Sequence, residues 1–338
     1  MTSVLVVGGA GYIGSHMVRA LLDAGHAVTV FDNLGHGHRD AVLADDFVEG
    51  TLLDRNDIAR ALGRRAFDVV MHFAALWDVG ESVQQPQRYW RNNVVGSLNL
   101  LDSMLDAGMR RIVFSSTCAT YGVPHAVPIT ETHPQSPTNP YGWTKLAIER
   151  ALADYSRASG MRSVSLRYFN AAGCHPDGTL GERHDPETHL IPSVLKEARR
   201  VIDGGDPEKT KLMVNGDDYD TPDGTCIRDY VHVCDLASAH LAAGERLVSG
   251  RVEGAEAFNL GADRGLSVKE VIDACRRVTG APIRYRVGPR RAGDPPRLVS
   301  SSTLARETLG WRPACGELDA IVASAWLWFG RSHLASPT

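Results

Sequence analysis

The chain has 338 residues, of which 43% are hydrophobic and 22% charged, and its net charge is −4. This composition is typical of a globular protein with room for two cores, and it argues against a nucleic-acid partner. The six cysteines form no C-x-x-C pair and no metal-ligand spacing, which favours a reduced, cytoplasmic setting. No apolar run reaches membrane-spanning length, and the first strand begins too early for a signal peptide, so we expect no membrane partner.

The N-terminal stretch predicts a strand, a tight turn and a helix. Four apolar residues at 4–7 are typical of a buried parallel strand, and Gly8, Gly11 and Gly14 follow. A glycine pattern alone also fits a ligand-free turn. In this context we expect the turn and the helix N-terminus to hold a pyrophosphate. We expect Gly8 to permit a sharp turn and Gly11 to permit the close approach of a phosphate. Gly14 would allow the helix to pack closely on the strand.

Asp32 supports a dinucleotide site. It ends a second predicted strand, 28–31, roughly 20 residues past the glycines, where the adenosine ribose hydroxyls are held. Because a carboxylate there repels a 2′-phosphate, the sequence favours NAD over NADP.

Strands and helices alternate along the first half of the chain. Further strands are predicted at 68–73, 111–115 and 163–168, with helices at 93–105 and 144–159. This order predicts an α/β protein with a Rossmann-type doubly wound parallel sheet. We expect residues 1–171 to form the NAD-binding domain, with 228–247 returning to it. Residues 172–227 and 248–338 would form a smaller substrate-binding lobe, with a frayed end at 332–338.

Tyr141 and Lys145 are the strongest chemical signal. At i and i+4 they share one face of a helix, where the ammonium would lower the pKa of the phenol. An isolated Tyr-x-x-x-Lys spacing more often belongs to an ordinary amphipathic helix with no catalytic role. Here the preceding strand ends at Thr117, on the sheet edge where ligands bind, so its hydroxyl could hold the substrate oxygen.

Longer motifs then carry a family resemblance. They include GGAGYIGSH (8–16), NPYGWTK (139–145), LRYFNAAG (166–173), HLIP (189–192), DGTCIRDYVHVCDL (223–236) and PRRAGD (289–294). The chain resembles the extended short-chain dehydrogenase/reductase family, and within it the 4-epimerases of UDP-glucose and UDP-galactose. The resemblance implies a homodimer joined through the helices around 92–106 and 141–158.

The resemblance also implies a reaction. Tyr141 would take the proton of the sugar 4-hydroxyl while the C4 hydride moves to tightly bound NAD. The 4-ketose would rotate and receive the hydride on its other face. Catalysis is assigned to Tyr141, Lys145 and Thr117. Cofactor contacts are assigned to Gly8, Gly11, Tyr12, Ile13, Gly14, Asp32, Asn33, Leu34, Thr51, Leu52, Phe73, Ala74, Ala75, Trp77, Asn92, Tyr141, Lys145 and Phe169. Contacts to the UDP-sugar are assigned to Thr117, Tyr141, Asn170, His189, Leu190, Asn215, Arg228, Arg291, Asp294 and Leu298.

Four positions depart from the family pattern. Trp77 replaces a lysine near the nicotinamide ribose, and Thr51 replaces an aspartate at the adenine amino group. Asn215 replaces an aromatic residue that would stack on uracil, and Leu298 replaces a tyrosine beside the sugar C2 substituent. A leucine there predicts room for an N-acetyl group.

Two other functions are alternatives to the epimerase hypothesis. A nucleotide-sugar 4,6-dehydratase or decarboxylase typically needs an Asp-Glu pair after the strand-end threonine. Here Cys118, Ala119 and Thr120 follow instead, and none is a general acid at neutral pH. A non-catalytic nucleotide sensor would have no need of a proton-abstracting phenolate, so the retained Tyr141 argues against it.

Overall fold

The structure is a computed structural model that describes residues 1–291 and 294–330. In that range the strands are β1 (Ser3–Val7), β2 (Ala27–Asp32), β3 (Asp46–Glu49), β4 (Val69–His72), β5 (Arg111–Thr117), β6 (Arg162–Tyr168), β7 (Asn170–Ala172), β8 (Met213–Asn215), β9 (Ile227–His232), β10 (Ala255–Leu260), β11 (Gly265–Ser267), β12 (Arg286–Gly288) and β13 (Arg297–Leu298).

The helices of the same range are α1 (Tyr12–Asp23), α2 (Arg55–Leu62), α3 (Val79–Gln84), α4 (Pro86–Tyr89), α5 (Gly96–Asp106), α6 (Pro140–Ser159), α7 (Leu190–Ile202), α8 (Val233–Val248), α9 (Val268–Thr279), α10 (Thr303–Leu309) and α11 (Leu318–Phe329). A π-helical stretch, Trp90–Val95, joins α4 to α5. None of the helices in the described part is both long and apolar enough to span a bilayer.

A parallel sheet organises the N-terminal half. Across the described residues its strand order is β3-β2-β1-β4-β5-β6-β10. Val6 pairs with Val30 of β2 on one side and with Met71 of β4 on the other. The chain runs outward in both directions from the β1/β4 pair, which makes this the topological switch point. Ligands of such sheets bind at the carboxyl ends of these strands, where the glycine turn lies.

Helices cover both faces of this sheet. Val6 belongs to a buried cluster with residues of α1 and α8. The next residue, Val7, points to the other face and packs in a cluster with α2, α5 and α6. Because β1 is covered on both faces, its apolar residues run without polar interruption.

The smaller lobe has its own core. Helices α7, α9 and α11 bury apolar side chains against Val214 of β8, Tyr230 of β9 and Leu266 of β11. Strand β9 pairs with β11, β13 and β7 in a second sheet. This sheet stands beside the carboxyl edge of the main sheet, since β7 follows β6 after a single residue.

The α/β class and the doubly wound sheet are confirmed, and the five predicted strands end within two residues of their predicted bounds. The prediction for 228–247 was half wrong, because β9 joins the smaller sheet while α8 packs on the main one. Strand β10 was assigned to the lobe, yet it pairs with β6 in the main sheet. The two-domain boundaries stay a prediction, and the frayed end predicted at 332–338 lies outside the described residues.

Candidate active site

The glycine turn after β1 has little room for side chains. Gly8 has a φ of +84°, and a Cβ there would lie 2.4 Å from the Ala74 nitrogen. A Cβ on Gly14 would lie 2.1 Å from the Gly8 oxygen, so the helix packs directly on the turn. A Cβ on Gly11 would meet only the Gly8 oxygen, at 3.5 Å. Gly11 is therefore open towards the cavity, as a phosphate cradle requires.

The start of α1 completes this cradle. Gly11 is its N-cap, and no side chain of the described residues caps it. The first backbone N–H groups of the helix are therefore available to an anion, with the positive end of the helix dipole behind them.

Asp32 lies at the carboxyl end of β2 and is almost buried. Its two carboxylate oxygens accept the backbone N–H groups of Ala10 at 3.0 Å and Leu34 at 2.8 Å. Burial raises the pKa of Asp32, although these donors oppose the shift. The carboxylate thus fixes the turn and also faces the cavity. Leu34 takes a left-handed φ of 55°.

A cavity of about 1370 Å³ runs along this edge of the sheet. All predicted cofactor residues line it except Leu34. Seven predicted substrate residues also line it: Thr117, Tyr141, Asn170, His189, Arg291, Asp294 and Leu298. Leu190, Asn215 and Arg228 do not line the cavity as described. The two predicted binding regions are therefore parts of one continuous space.

The start of α6 places Tyr141 beside the end of β5. The Asn139 side chain caps the helix by accepting the N–H of Gly142 at 2.8 Å. A Cβ on Gly142 would lie 2.6 Å from the Ala119 oxygen, so only glycine lets the helix approach this closely. Burial raises the pKa of Tyr141, while the Thr117 side chain acts to lower it.

Lys145 lies one helical turn further along α6. Its Nζ donates to the Ser115 backbone oxygen at 2.8 Å and lies 5.9 Å from the centre of the Tyr141 ring. Burial lowers the pKa of Lys145 to about 7. Burial therefore acts against the charged form of each side chain. The lowering of the Tyr141 pKa by this ammonium stays a prediction.

A buried ion pair supports this part of the site and was missed in the sequence. Glu149 accepts from Arg167 Nη2 at 2.6 Å and from Ser116 Oγ at 2.5 Å. Glu149 follows Lys145 by four residues, and its charge opposes the lowering of the lysine pKa. The i, i+4 spacing on α6 was the available signal.

The lobe side of the cavity carries the predicted sugar-nucleotide residues. Arg228 of β9 pairs with Asp294, which lines the cavity. The Asn215 amide lies against Arg291, whose Nε is 3.1 Å from the amide oxygen when that oxygen faces the guanidinium. Asn170 donates to the Asp229 backbone oxygen at 3.0 Å.

Trp77 turns towards the loop before α7. Its ring packs on those of His184, at 4.1 Å between centroids, and His189, at 4.9 Å. Glu182, His184 and Thr188 also line the cavity and were not among the predicted site residues. The sequence signal was general: a stretch at 171–189 rich in glycine, proline, histidine and aspartate.

These residues fit a dinucleotide. The glycine turn leaves a cradle that a Cβ at Gly11 would fill, and a carboxylate ends β2 where ribose hydroxyls bind. With Tyr141 and Lys145 at the far end of the same cavity, the site defines a dinucleotide-dependent enzyme of the Rossmann class.

Comparison with known proteins identifies the family. The model of the NAD dependent epimerase/dehydratase family matches residues 4–261. The UDP-glucose 4-epimerase of Halalkalibacterium halodurans is 49% identical over 326 residues, which cover 96% of this chain and 95% of that protein. The chain belongs to the NAD dependent epimerase/dehydratase family.

Two solved structures have the same fold over nearly the whole chain. The UDP-glucose 4-epimerase of Brucella ovis in complex with NAD superposes with a TM-score of 0.92 at 49% identity, covering 98% of this chain and 99% of that one. The UDP-Glc/GlcNAc 4-epimerase of Campylobacter jejuni superposes with a TM-score of 0.82 at 42% identity, covering 97% and 99%.

Proposed function

We propose that this chain is an NAD-dependent isomerase that interconverts UDP-glucose and UDP-galactose by inverting the sugar C4. The observation that carries the proposal is the shared cavity: the glycine turn, the Tyr141–Lys145 pair and seven of the ten predicted sugar-nucleotide residues line one space. A cofactor and a nucleotide-sugar can thus meet at Tyr141. The names of the similar proteins support the same reaction.

Tyr141 is the proposed base. As phenolate it takes the proton of the sugar 4-hydroxyl, and Thr117 holds the same oxygen by a hydrogen bond. Bound NAD supplies the hydride acceptor and donor, and the positive charge of its oxidised ring favours the phenolate. Because burial raises the pKa of Tyr141, the free chain keeps the phenol protonated. Binding of NAD would thus act against the effect of burial on this phenol.

Lys145 and its surroundings are proposed to position this base. With a pKa lowered to about 7, its amine exchanges a proton readily near neutral pH. The buried Glu149 carboxylate favours the charged form of Lys145, and Arg167 holds that carboxylate in place. A charged Lys145 would hold the nicotinamide ribose and stabilise the phenolate of Tyr141.

The lobe is proposed to hold the UDP group. Arg228 and Arg291 would bind the diphosphate, since guanidinium groups match phosphate oxygens in charge and geometry. Arg228 is 12% exposed in its side chain and pairs with Asp294, so binding would exchange one anionic partner for another. Asn215 stands where an aromatic ring would stack on uracil, and its amide would hydrogen-bond the base instead.

Leu298 is proposed to widen the range of sugars. It lines the cavity and packs with Tyr121, Ile129 and Phe169. A leucine here leaves more room than a tyrosine beside the sugar C2 position. The similar protein of Campylobacter jejuni is a UDP-Glc/GlcNAc 4-epimerase, which supports the use of both sugars.

A homodimer is proposed on the exposed apolar residues near the start of α5 and α6. Trp90, Val95 and Trp143 are between 42% and 47% exposed. Two copies could bury them in a helical bundle, which favours association. Light scattering should give twice the 36.6 kDa of one chain. A monomer at micromolar concentration would contradict this part of the proposal.

The test of the activity is a panel of UDP-, TDP- and GDP-sugars with the products identified by NMR. We expect UDP-galactose from UDP-glucose and the reverse. A 4-keto-6-deoxy product would identify a dehydratase, and binding of the sugars without turnover would identify a sensor. Either result would reject the proposed function.

A further inference from the structure

The loop before α7 gathers four metal-ligating side chains. Glu182, His184, Glu187 and His189 each offer one ligand atom, and these atoms all lie within 4.8 Å of one another. The spacing E-x-H-x-x-E-x-H brings them together along one short segment. Neither the proposed reaction nor the predicted cofactor contacts use this cluster as a unit.

The contact distances between these donors are close to those of a tetrahedral site. His184 Nδ1 lies 3.2 Å from Glu182 Oε1 and 3.8 Å from Glu187 Oε2. His189 Nδ1 lies 2.5 Å from Glu182 Oε1 and 3.5 Å from Glu187 Oε1. Ligands at roughly 2.0–2.1 Å from a tetrahedral zinc ion are separated by roughly 3.3 Å. The four measured distances, 2.5–3.8 Å, lie on both sides of this value, so shifts of about 1 Å or less in them would match a tetrahedral site.

The two carboxylates of the cluster are buried, and burying a charged group costs free energy unless the group has a partner. The side chains of Glu182 and Glu187 are only 6% and 3% exposed. Glu182 Oε1, His184 Nδ1 and Glu187 Oε2 are buried and make no hydrogen bond within the described part of the chain. Buried carboxylate oxygens normally have hydrogen-bond or metal partners. The short nitrogen–oxygen contacts in this cluster thus lack the geometry that would satisfy these atoms.

We propose that Glu182, His184, Glu187 and His189 form a binding site for one divalent transition-metal cation, with zinc the best match. Two imidazole nitrogens and two carboxylate oxygens are a donor set that suits zinc and its neighbours better than magnesium or calcium. Two carboxylates also balance the charge of a divalent ion when both imidazoles are neutral.

The competing arrangement is a metal-free ion-pair cluster in which both imidazoles are protonated. The two arrangements differ in proton content, because the cation replaces the imidazole protons. They also differ in what holds the loop. Trp77 packs on both histidine rings, so a bound cation would fasten residues 182–189 beneath the indole at the wall of the cavity. The proposed role of the cation is thus structural: it would hold in place a wall of the cavity that includes His189.

The test is a zinc titration of tag-free, chelator-treated protein by calorimetry, with metal content measured after gel filtration. We expect one zinc per chain and an apparent binding enthalpy that varies with the ionisation enthalpy of the buffer, because binding releases protons. His184→Ala should weaken binding by about 100-fold or more, since loss of a supporting partner alone costs about 10–100-fold. Cobalt should give visible absorption bands typical of four-coordinate geometry.

His125 and His133 provide a matched control. They form a stacked pair of imidazole rings at the surface, with centroids 5.7 Å apart. The double variant His125→Ala/His133→Ala should bind zinc like the wild type. Glu187→Gln provides a second test if His184→Ala does not fold. Absence of binding, or equal binding by the wild type and both cluster variants, would overturn the proposal, whatever the outcome for epimerase activity.

Discussion

Replacing two glycines of the first turn should separate cofactor binding from folding. In Gly14→Ala the new methyl carbon would lie 2.1 Å from the Gly8 oxygen, where ordinary contacts are 3.4–4 Å. The turn and α1 must therefore move apart by more than 1 Å. In Gly11→Ala the nearest atom is 3.5 Å away, so the methyl group fits the folded chain but occupies the cradle.

The expected magnitudes follow from these distances. Overpacking costs roughly 1–3 kcal/mol and exceeds the roughly 0.5–1 kcal/mol that alanine contributes within a helix. Gly14→Ala should thus be less stable than the wild type and should also lose NAD. Gly11→Ala should lose at most about 1 kcal/mol, because alanine is a poorer N-cap than glycine. Its NAD content should nevertheless fall about tenfold or more.

Two quantities are measured for each protein. Urea unfolding of the NAD-free protein gives its free energy of unfolding, and denaturation of the protein as purified releases its bound NAD, which is then quantified. Gly316→Ala is the control, because a Cβ there meets nothing within 4 Å. It should match the wild type in both measurements. If Gly11→Ala retained wild-type NAD content, no phosphate would approach that position, and our interpretation of the turn would be refuted.

Three further substitutions address the base, the cofactor and the sugar. Tyr141→Phe should bind NAD and UDP-glucose yet turn over about 10²–10⁴-fold more slowly. The control is Tyr155→Phe, on the same helix, whose hydroxyl donates a hydrogen bond to Asp102; its activity should be close to that of the wild type. Asp32→Ala should lower the content of co-purified NAD, and a preference for NADP in the wild type would contradict the role of Asp32. Leu298→Tyr should selectively lose activity on UDP-N-acetylglucosamine. The loss should be about 5- to 150-fold, because overpacking costs roughly 1–3 kcal/mol. A wild type that is inactive on the N-acetyl sugar but normal on UDP-glucose would reject the steric argument.

Local patterns predicted most of the sheet. Strands β1, β4 and β5 are runs of apolar, largely β-branched residues, and such runs predict buried strands wherever they pack. Strand β10, Ala255–Leu260, has no continuous apolar run, since Glu256 and Asn259 interrupt it, and it pairs with β6 at the edge of the sheet. Strand β3 is four residues long with charged ends, so it too depends on its neighbour.

The site was predicted where motifs are contiguous and missed where it depends on packing. The glycine turn and the Tyr141–Lys145 pair could be identified from spacing. The effect of burial on their pKa values could not, because it depends on every element packed around them. Likewise, the packing of Trp77 on His184 and His189 arises from a loop about 100 residues away in sequence. No local pattern encodes that contact.

The most direct test of the central claim follows the hydrogen at C4. UDP-glucose carrying deuterium at C4 would be incubated with the purified protein in ordinary water without added NAD, and the product examined by NMR. The account predicts UDP-galactose that retains the deuterium at C4, since the hydride leaves and returns within one active site. Exchange of that deuterium with solvent, or a strict need for added NAD, would contradict it.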